Sequence, residues 1–215
     1  MVYPKKLFFK NHVFQVDEHV YEPAEDTFLV AEHMRVEEDD VVLDMGTGCG
    51  ILAVLAAEKA KRVVAVDINP HAVKCAIKNA EMNGAKEKIE FRQGDLFQPV
   101  KLNENFSLIL FNAPYLPSEP HEERSWLGKA WAGGPNGRKI IDRFVMNALN
   151  FLADGGSIQL VQSSLSDVNR TLTAFDEMNL KAWVVAQVKV PYESIVLIEA
   201  KRWASFKYLK VIPFH

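Results

Sequence analysis

Residues 41–50 read VVLDMGTGCG, a short apolar run that ends in a glycine-rich turn, and the apolar segment ILAVLAA follows directly as residues 51–57. Glycine allows the backbone to turn sharply and to approach a ligand closely, and the N-terminus of the next helix can face that ligand. The stretch therefore predicts a strand, a ligand-binding loop and a helix in direct succession. Such units build the α/β sheets.

The spacing of the glycines separates two classes of cofactor. Gly46, Gly48 and Gly50 form GxGxG, whereas the dinucleotide fingerprint is GxGxxG and would need a glycine at Ile51. Asp44 precedes the turn, and a carboxylate there attracts the cationic ammonium of S-adenosylmethionine but repels a pyrophosphate. The loop therefore favours S-adenosylmethionine over NAD, with Gly46 and Gly48 in contact with it.

The rest of the chain repeats this alternation of β-branched runs and segments of helical period, which is typical of a parallel sheet covered on both faces. The predicted strands are 41–45, 62–67, 88–93, 107–112 and 157–162, and the predicted helices are 50–60, 70–83, 137–152 and 165–179. Gly84 and the pair Gly155–Gly156 are expected to end helices.

The last two apolar runs depart from the alternation. AWVVAQVKV (182–190) and SIVLIEAKR (194–202) are separated only by PYE, which is too short for the crossover that parallel neighbours need. They predict an antiparallel hairpin. Parallel units followed by a hairpin indicate the class I S-adenosylmethionine-dependent methyltransferase (Rossmann-like) fold, an α/β fold with a mostly parallel seven-stranded sheet, whereas a nicotinamide-binding sheet stays parallel.

Length and composition indicate one globular domain. The 215 residues are 48% hydrophobic and 25% charged, which excludes disorder, collagen-like repeats and coiled coils. We expect a single methyltransferase domain over residues 1–215, with residues 1–34 as a short N-terminal extension packed on the catalytic core. In that extension VFQV (13–16) and HVY (19–21) predict a strand pair, and residues 24–34 predict a helix.

Cysteine usage and hydropathy indicate the compartment. Cys49 and Cys75 cannot form a disulfide framework, and the strings CxxC and HExxH are absent, so we expect a reducing compartment and no metal site. The first residues lack the apolar run of a signal peptide, and no uncharged apolar stretch reaches the ~18 residues of a membrane span. We expect a cytoplasmic protein that contacts no membrane.

Two further acids follow predicted strands. Asp67 closes the second strand, where its carboxylate can accept the ribose hydroxyls, and Asp95 and Leu96 follow the third strand, where they can face the adenine. A single Asp at a strand end is equally explained as a helix cap or turn residue. Together with Asp44 they make three acids at three successive strand ends, which favours a ligand, because ligands bind outside the carboxyl ends of such strands.

The fourth strand ends in Asn112-Ala113-Pro114-Tyr115, a tetrapeptide that in isolation would be an ordinary turn. At this place it resembles the [DNS]PP[YF] motif of methyltransferases that alkylate a planar nitrogen. The motif implies that the Asn112 side-chain oxygen and the carbonyl of Ala113 accept the two N–H bonds of the substrate, while Tyr115 packs on its plane. Ala113 stands where proline is usual, so we expect a working but less rigid loop.

Two other segments narrow the resemblance. YEPAEDT (21–27) and AWAGGPNGR (130–138) resemble segments of the HemK-related glutamine methyltransferases, and the chain is most similar to their short archaeal and eukaryotic branch. That branch methylates the glutamine of the GGQ motif in class 1 translation termination (release) factors. Asn112 and Tyr115 would hold the substrate. The resemblance implies cofactor contacts for Thr27, Asp44, Gly46, Asp67, Asp95, Leu96 and Asn112.

Each of the two segments also has a purely structural interpretation. PAEDT is a good helix start, with proline and then acids in the first turn. The glycine-rich residues 130–138 are either a mobile linker or a lid that becomes ordered over substrate.

Other functions remain open on the same motifs. The enzyme alternatives are an amino-nucleobase methyltransferase acting on RNA or DNA adenine and a protein lysine methyltransferase, and the non-enzyme alternative is a cofactor-binding regulatory subunit. The net charge of −3 makes nucleic acid an unlikely partner. The basic aromatic tail from Lys201 is interpreted as an edge strand with solvated lysines rather than an RNA surface.

A second subunit is a further expectation from the resemblance, because short-branch members can use a small zinc-binding activator. The third strand is expected at the sheet edge, where a partner could pair with it. The alternation of Lys88, Glu90 and Arg92 on that strand is typical of edge protection and argues against such pairing.

Overall fold

The computed structural model describes residues 3–202 as two sheets and six α-helices. The strands are β1 (Lys5–Phe9), β2 (His12–Val16), β3 (Val41–Met45), β4 (Arg62–Asp67), β5 (Ile89–Gln93), β6 (Phe106–Asn112), β7 (Leu152–Ser163), β8 (Leu180–Val190) and β9 (Glu193–Arg202). The helices are α1 (Glu25–His33), α2 (Ile51–Ala57), α3 (Pro70–Met82), α4 (Trp126–Lys129), α5 (Lys139–Ala148) and α6 (Val168–Glu177).

The large sheet has the strand order β5-β4-β3-β6-β7-β9-β8. Its first five strands are mutually parallel, while β9 runs antiparallel to both β7 and β8. This topology confirms the predicted fold, including the C-terminal hairpin and the edge position of the third predicted strand. The strand order reverses direction at β3, so the loop after β3 lies at the switch point where such sheets bind ligands.

The central strands are buried on both faces, as their unbroken apolar runs predict. All seven residues of α2 are buried, and Phe111 on β6 packs against Phe144 on α5 with ring centroids 4.6 Å apart. The ring of Phe97, in the segment after β5, stacks on that of Phe151 at 4.7 Å. This packing holds the carboxyl ends of β3 to β6 in fixed positions.

The N-terminal strand pair differs from the prediction. VFQV belongs to β2, but its partner is β1, and the two strands pair in register through a tight turn at residues 10–11. The segment HVY forms no strand; it continues towards α1 after a turn in which the Val20 N–H donates to the Asp17 carbonyl. The connections on the two sides of β2 are equally short, but β1 has five residues that pair with all of β2, whereas HVY has only three.

Asn79 on α3 and Asn83, which follows the end of α3, hold this hairpin against the helix. The Asn79 side chain exchanges two hydrogen bonds of 2.8 Å with the main chain of Gln15, and its amide also donates to the Cys49 carbonyl in the glycine-rich loop. Asn83 makes the same exchange with Val13. The extension is thereby connected directly to the predicted cofactor loop.

Other boundaries move by a few residues. Gly84 follows the end of α3 with a φ of +68°, as predicted. Gly155 and Gly156, predicted to end a helix, instead lie inside β7 near a shift in the pairing with β6, because the preceding helix already ends at Ala148 and a short 3-10 turn. Among residues 3–202, no helix is both long and apolar enough to cross a membrane. The basic aromatic tail lies outside the described residues from 203 onward.

Candidate active site

The glycine-rich loop connects β3 to α2 and is hydrogen-bonded to the end of β4. The Gly48 N–H donates to the Asp67 carboxylate at 2.9 Å. Gly50 has a φ of +85°, and a Cβ on it would lie 2.9 Å from the Cβ of Ala76 on α3. Glycine is therefore required at position 50, for the left-handed backbone and for the close approach of α3.

A cavity of about 270 Å³ opens at the carboxyl ends of β3, β4, β5 and β6. It also receives residues from the start of α1 and from the segment 123–143. The predicted site residues on its wall are Thr27, Gly46, Gly48, Asp67, Asp95, Leu96, Asn112 and Pro114. The structure thus brings together four segments that are far apart in sequence, and it leaves three predicted residues off this wall, namely Asp44, Ala113 and Tyr115.

Asp44 is the first of these three. It is 1% exposed and lies behind Thr47, whose hydroxyl donates to it at 2.6 Å. Burial raises the pKa of Asp44 to about 7; the Thr47 hydrogen bond opposes the rise, and the neighbouring Asp67 charge adds to it. Asp44 therefore changes charge near neutral pH, within reach of the cavity only through Thr47.

Asp67 reaches the cavity with both oxygens already accepting main-chain hydrogen bonds, from Gly48 at 2.9 Å and from Asn69 at 2.8 Å. Burial raises its pKa, and these hydrogen bonds oppose the rise. Each carboxylate oxygen has a second acceptor position, so two hydroxyl groups of a ligand can still donate to Asp67.

The cavity rim carries charges of both signs. Arg143 on α5 donates to Asp95 at 2.7 Å, and Lys139 donates to Glu123 at 2.5 Å. Arg143 has no recognisable motif around it, and sequence reasoning did not include it. In the described part of the chain, no group of His, Cys, Asp and Glu side chains has an arrangement suited to a metal ion.

Asn112 has the most informative hydrogen-bond pattern of the site. Its amide nitrogen Nδ2 donates to the Thr27 hydroxyl at 3.1 Å, whereas its oxygen Oδ1 is buried with no hydrogen-bond partner among residues 3–202. A buried acceptor without a partner costs ~1–3 kcal/mol, so its retention on the wall of a cavity indicates a donor supplied by a ligand. A substrate NH₂ group is such a donor.

Tyr115 lies in a second cavity beside the first, and its hydroxyl donates to Asp26 at 3.1 Å. Ala113 and Asp26 line the same cavity, whose volume is about 350 Å³. Tyr21 lines both cavities. Tyr115 thus lines the second cavity and not the first.

The segment 130–138 packs tightly against the chain that follows Tyr115. The Gly133 N–H donates to the Leu116 carbonyl at 2.8 Å, and the Leu116 N–H donates to the Trp131 carbonyl at 3.0 Å. A Cβ at Gly137, where φ is +71°, would lie 2.2 Å from the Tyr115 carbonyl oxygen. The glycines therefore serve close packing, and the interpretation of this segment as a free linker is wrong.

Sequence reasoning missed the roles of two buried charged residues. Arg138, the last residue of the segment AWAGGPNGR, is 2% exposed and binds Asp142, Thr171 and the carbonyls of Ser166 and Asp167. Asp26, interpreted only as part of a helix start, is 4% exposed and hydrogen-bonded to two tyrosines. The YEPAEDT segment drew attention to Asp26, but the sequence did not indicate that Tyr21 and Tyr115 bind it.

Comparison with solved structures defines the class of protein. A chain of the E. cuniculi Mtq2–Trm112 complex, described as responsible for methylation of the eRF1 translation termination factor, matches with a TM-score of 0.63 and 21% identity over 86% of this chain and 99% of that one. The M. jannaschii tRNA m1G37 methyltransferase matches with a TM-score of 0.66 and 24% identity over 92% of this chain and 56% of that one. The chain has the class I S-adenosylmethionine-dependent methyltransferase fold.

Sequence comparison narrows the class to a family. The model of the ribosomal protein L11 methyltransferase (PrmA) family matches residues 26–113. A Methanocaldococcus jannaschii protein whose name proposes it as a protein N5-glutamine methyltransferase is 42% identical over 85% of this chain and 92% of its own length. Methyltransferase HEMK2 of Homo sapiens is 34% identical over 66% of this chain and 71% of its own length.

A third relative, a release factor glutamine methyltransferase of Rhodopirellula baltica, is 30% identical over 74% of this chain and 59% of its own length. The chain belongs to the HemK-related protein glutamine methyltransferase family. The family expected from the motifs is confirmed.

Proposed function

We propose that this chain transfers the methyl group of S-adenosylmethionine to the side-chain amide nitrogen of a glutamine in a translation release factor, at its GGQ motif. The observation that carries the proposal is the buried Asn112 Oδ1, which has no partner in the described part of the chain, while Nδ2 of the same amide donates to Thr27. This arrangement offers an acceptor, and no donor, to an incoming NH₂ group.

An amide nitrogen is a poor nucleophile because its lone pair is conjugated with the carbonyl. Acceptors at Asn112 Oδ1 and at the Ala113 carbonyl would hold both N–H bonds and stabilise the positive charge that develops on nitrogen. S-adenosylmethionine supplies an electrophilic methyl group on a sulfonium. In the transfer the N–C bond forms as the S–C bond breaks, the sulfur keeps the bonding electron pair, and the nitrogen then loses one proton to water.

The walls of the cavity suit the proposed cofactor. On this cavity wall Asp67 would accept from the ribose hydroxyls, Asp95 and Leu96 would face the adenine, and the loop from Gly46 to Gly48 would hold the methionine part. Asp44 would act on the methionine ammonium through the loop and not by lining the cavity. Glu123 and Lys139 close the rim near the same end.

Two observations support a glutamine in a release factor as the substrate. The relatives are named as methyltransferases of protein glutamine and of release factors. The net charge of −3 gives no overall attraction to nucleic acid. The domain assignment belongs to the same proposal: a single methyltransferase domain over residues 1–215, with residues 1–34 as an extension of the core. We also propose that the protein acts in the cytoplasm, where translation takes place.

A small activator subunit, zinc-binding as the family resemblance implies, is the proposed partner, by analogy with the Mtq2–Trm112 complex. The site on this chain would be β5, which is a sheet edge. Arg92 on β5 is bound to Glu104 at 2.6 and 2.8 Å, and Glu90 on β5 accepts from Arg62 of β4 at 2.5 Å. A partner strand must pair beside this charged layer without disrupting it.

The test uses cofactor labelled on the methyl group. The protein is incubated with a release factor, with the same factor carrying Gln→Ala in its GGQ motif, and with RNA, each with and without the activator. We expect label in the first substrate alone. Label on lysine or in RNA, with the release factor unlabelled, would replace the proposal with one of the other methyltransferases, and tight cofactor binding without any transfer would favour a regulatory subunit.

A further inference from the structure

Asp26 connects the tyrosines of the second cavity to the amide at the reaction centre. One of its oxygens, Oδ2, accepts from the hydroxyls of Tyr21 at 3.0 Å and Tyr115 at 3.1 Å. The other, Oδ1, accepts from the main-chain N–H of Thr27 at 2.6 Å and from the Thr27 hydroxyl at 3.2 Å. All four of these hydrogen bonds are donated to the carboxylate.

The direction of these bonds decides how Thr27 meets Asn112. Because the Thr27 hydroxyl donates its only proton to Asp26, it has only lone pairs left for Asn112. It must therefore accept from Nδ2, which it does at 3.1 Å. The opposite orientation of the Asn112 amide would place two acceptors against each other at this contact.

We infer that Asp26 is a positioning residue for methyl transfer: its carboxylate sets the direction of the hydrogen bonds that pass through Thr27, so that Asn112 presents Oδ1 and not Nδ2 to the substrate nitrogen. This inference depends on the proposed function in one respect only, which is that the substrate group is an amide NH₂. Without the carboxylate, the Thr27 hydroxyl is free to donate to Oδ1, and the amide can turn its NH₂ group towards the substrate. An NH₂ facing an NH₂ offers no acceptor.

The tyrosines support this role of Asp26. Burial raises the pKa values of Tyr21 and Tyr115, and the Asp26 charge raises them further, so both phenols keep their protons and remain donors. Two neutral donors stabilise a buried carboxylate that is 4% exposed and that has no Lys or Arg partner among the described ion pairs.

The test compares three variants. Asp26→Ala removes the acceptor, and we expect kcat to fall on the order of 100-fold while the Kd of S-adenosylmethionine stays unchanged. Asp26→Asn keeps an oxygen for Thr27 and turns its NH₂ to the tyrosines, whose oxygens can accept, so it should keep most of the wild-type kcat. Glu25→Ala is the matched control: it removes an exposed acid from the same first turn of α1 and should leave kcat unchanged.

A double-mutant cycle separates positioning from general damage. Thr27→Val breaks the same connection, so adding Asp26→Ala to it should lower kcat little further, since both act through one contact. If Asp26→Ala keeps wild-type kcat, or if Asp26→Asn is as inactive as Asp26→Ala, the inference is overturned.

A second measurement needs no substrate. The side-chain NH₂ resonances of Asn112, followed by ¹H–¹⁵N NMR, should shift in Asp26→Ala and stay near their wild-type positions in Asp26→Asn. Unshifted resonances in Asp26→Ala would refute the inference even if glutamine is methylated. Conversely, a wild-type protein that methylates no glutamine would defeat the proposed function, while this measurement still decides the role of Asp26.

Discussion

The hydroxyl of Thr47 donates a hydrogen bond of 2.6 Å to the buried carboxylate of Asp44. One hydroxyl donor only partly offsets the loss of hydration, so burial keeps the pKa of Asp44 at about 7 instead of 3.8. Thr47 of the glycine-rich loop is therefore hydrogen-bonded to a carboxyl group, Asp44, whose pKa lies near neutral pH.

This pKa predicts a pH-dependent cofactor affinity. The cationic ammonium of S-adenosylmethionine favours ionised Asp44, and below pH 7 binding must first remove its proton. The Kd should therefore rise as the pH falls from 7 to 5, by up to about tenfold per unit. Isothermal titration at a series of pH values measures it. Asp44→Asn should flatten the dependence, whereas Asp39→Asn, on an exposed acid, should keep it.

The same carboxyl group should make the protein less stable as the pH rises, whereas an acid whose pKa is lowered by folding makes it more stable. Its pKa in the folded state is above 3.8, so between pH 4 and pH 7 the folded protein keeps a proton that the unfolded chain has lost. The free energy of unfolding therefore falls as the pH rises from 4 to 7. Asp44→Asn cannot ionise. Relative to wild type, its melting temperature should be higher at pH 8 than at pH 5, and an equal difference at both would show that Asp44 does not titrate there.

Asn112→Ala should abolish catalysis while leaving cofactor binding nearly intact. The variant loses the acceptor Oδ1, which has no partner within the described residues, and we expect kcat to fall about 10²–10³-fold. The Kd of S-adenosylmethionine should change far less, because most of the proposed cofactor contacts come from Asp67, Asp95 and the glycine-rich loop. Turnover equal to wild type would remove Asn112 from the mechanism.

Gly137→Ala should destabilise the protein and damage the site. The added Cβ would meet the Tyr115 carbonyl oxygen at 2.2 Å, on top of the ~1–2 kcal/mol that a left-handed backbone costs a residue with a side chain. Gly84→Ala has a similar φ of +68° and nothing within 4 Å of its Cβ, so it should lose only the backbone part and keep full activity. Urea unfolding and methylation assays on both variants separate the two effects.

Arg138→Ala should cost about 3 kcal/mol in the free energy of unfolding, because it removes a buried guanidinium that donates to the Ser166 and Asp167 carbonyls, to Thr171 and to Asp142 Oδ1. Arg170 binds the other oxygen of the same Asp142 at 2.7 Å but is exposed, and Arg170→Ala should cost less than about 1 kcal/mol. Urea titrations at fixed pH give both values. Similar losses for the two variants would contradict a structural role specific to Arg138.

Local patterns were enough to predict β3, its glycine loop, β4 and the hairpin β8–β9. Each of these depends on residues a few positions apart, and the parallel order then brings the strand ends to one edge. The pairing of β2 was wrong because HVY and KLFF have similarly short apolar patterns and each lies two residues from β2, so the local pattern could not decide between them. The helix 137–152 was predicted too long because Gly155 is as compatible with a strand shift as with a helix end.

The interior of the site was harder to predict, because its partners lie far apart in sequence. Asp26 and Tyr115 are separated by 89 positions, and no period or motif indicates that a capping acid binds a motif tyrosine. Asp44 was placed at the cofactor by its motif, but only the structure shows Thr47 in front of it. Arg138 could be identified as near the site, but its burial depends on the loop before α6.

The hydrogen bonds from Tyr21 and Tyr115 to one oxygen of Asp26 have a consequence for how such enzymes can be recombined. A domain exchange that cuts between the extension and the catalytic core would pair an Asp26 from one parent with a Tyr115 from another. The two segments therefore have to be inherited together, and a chimera joined after residue 27 must take residues 112–115 from the same parent as its first helix.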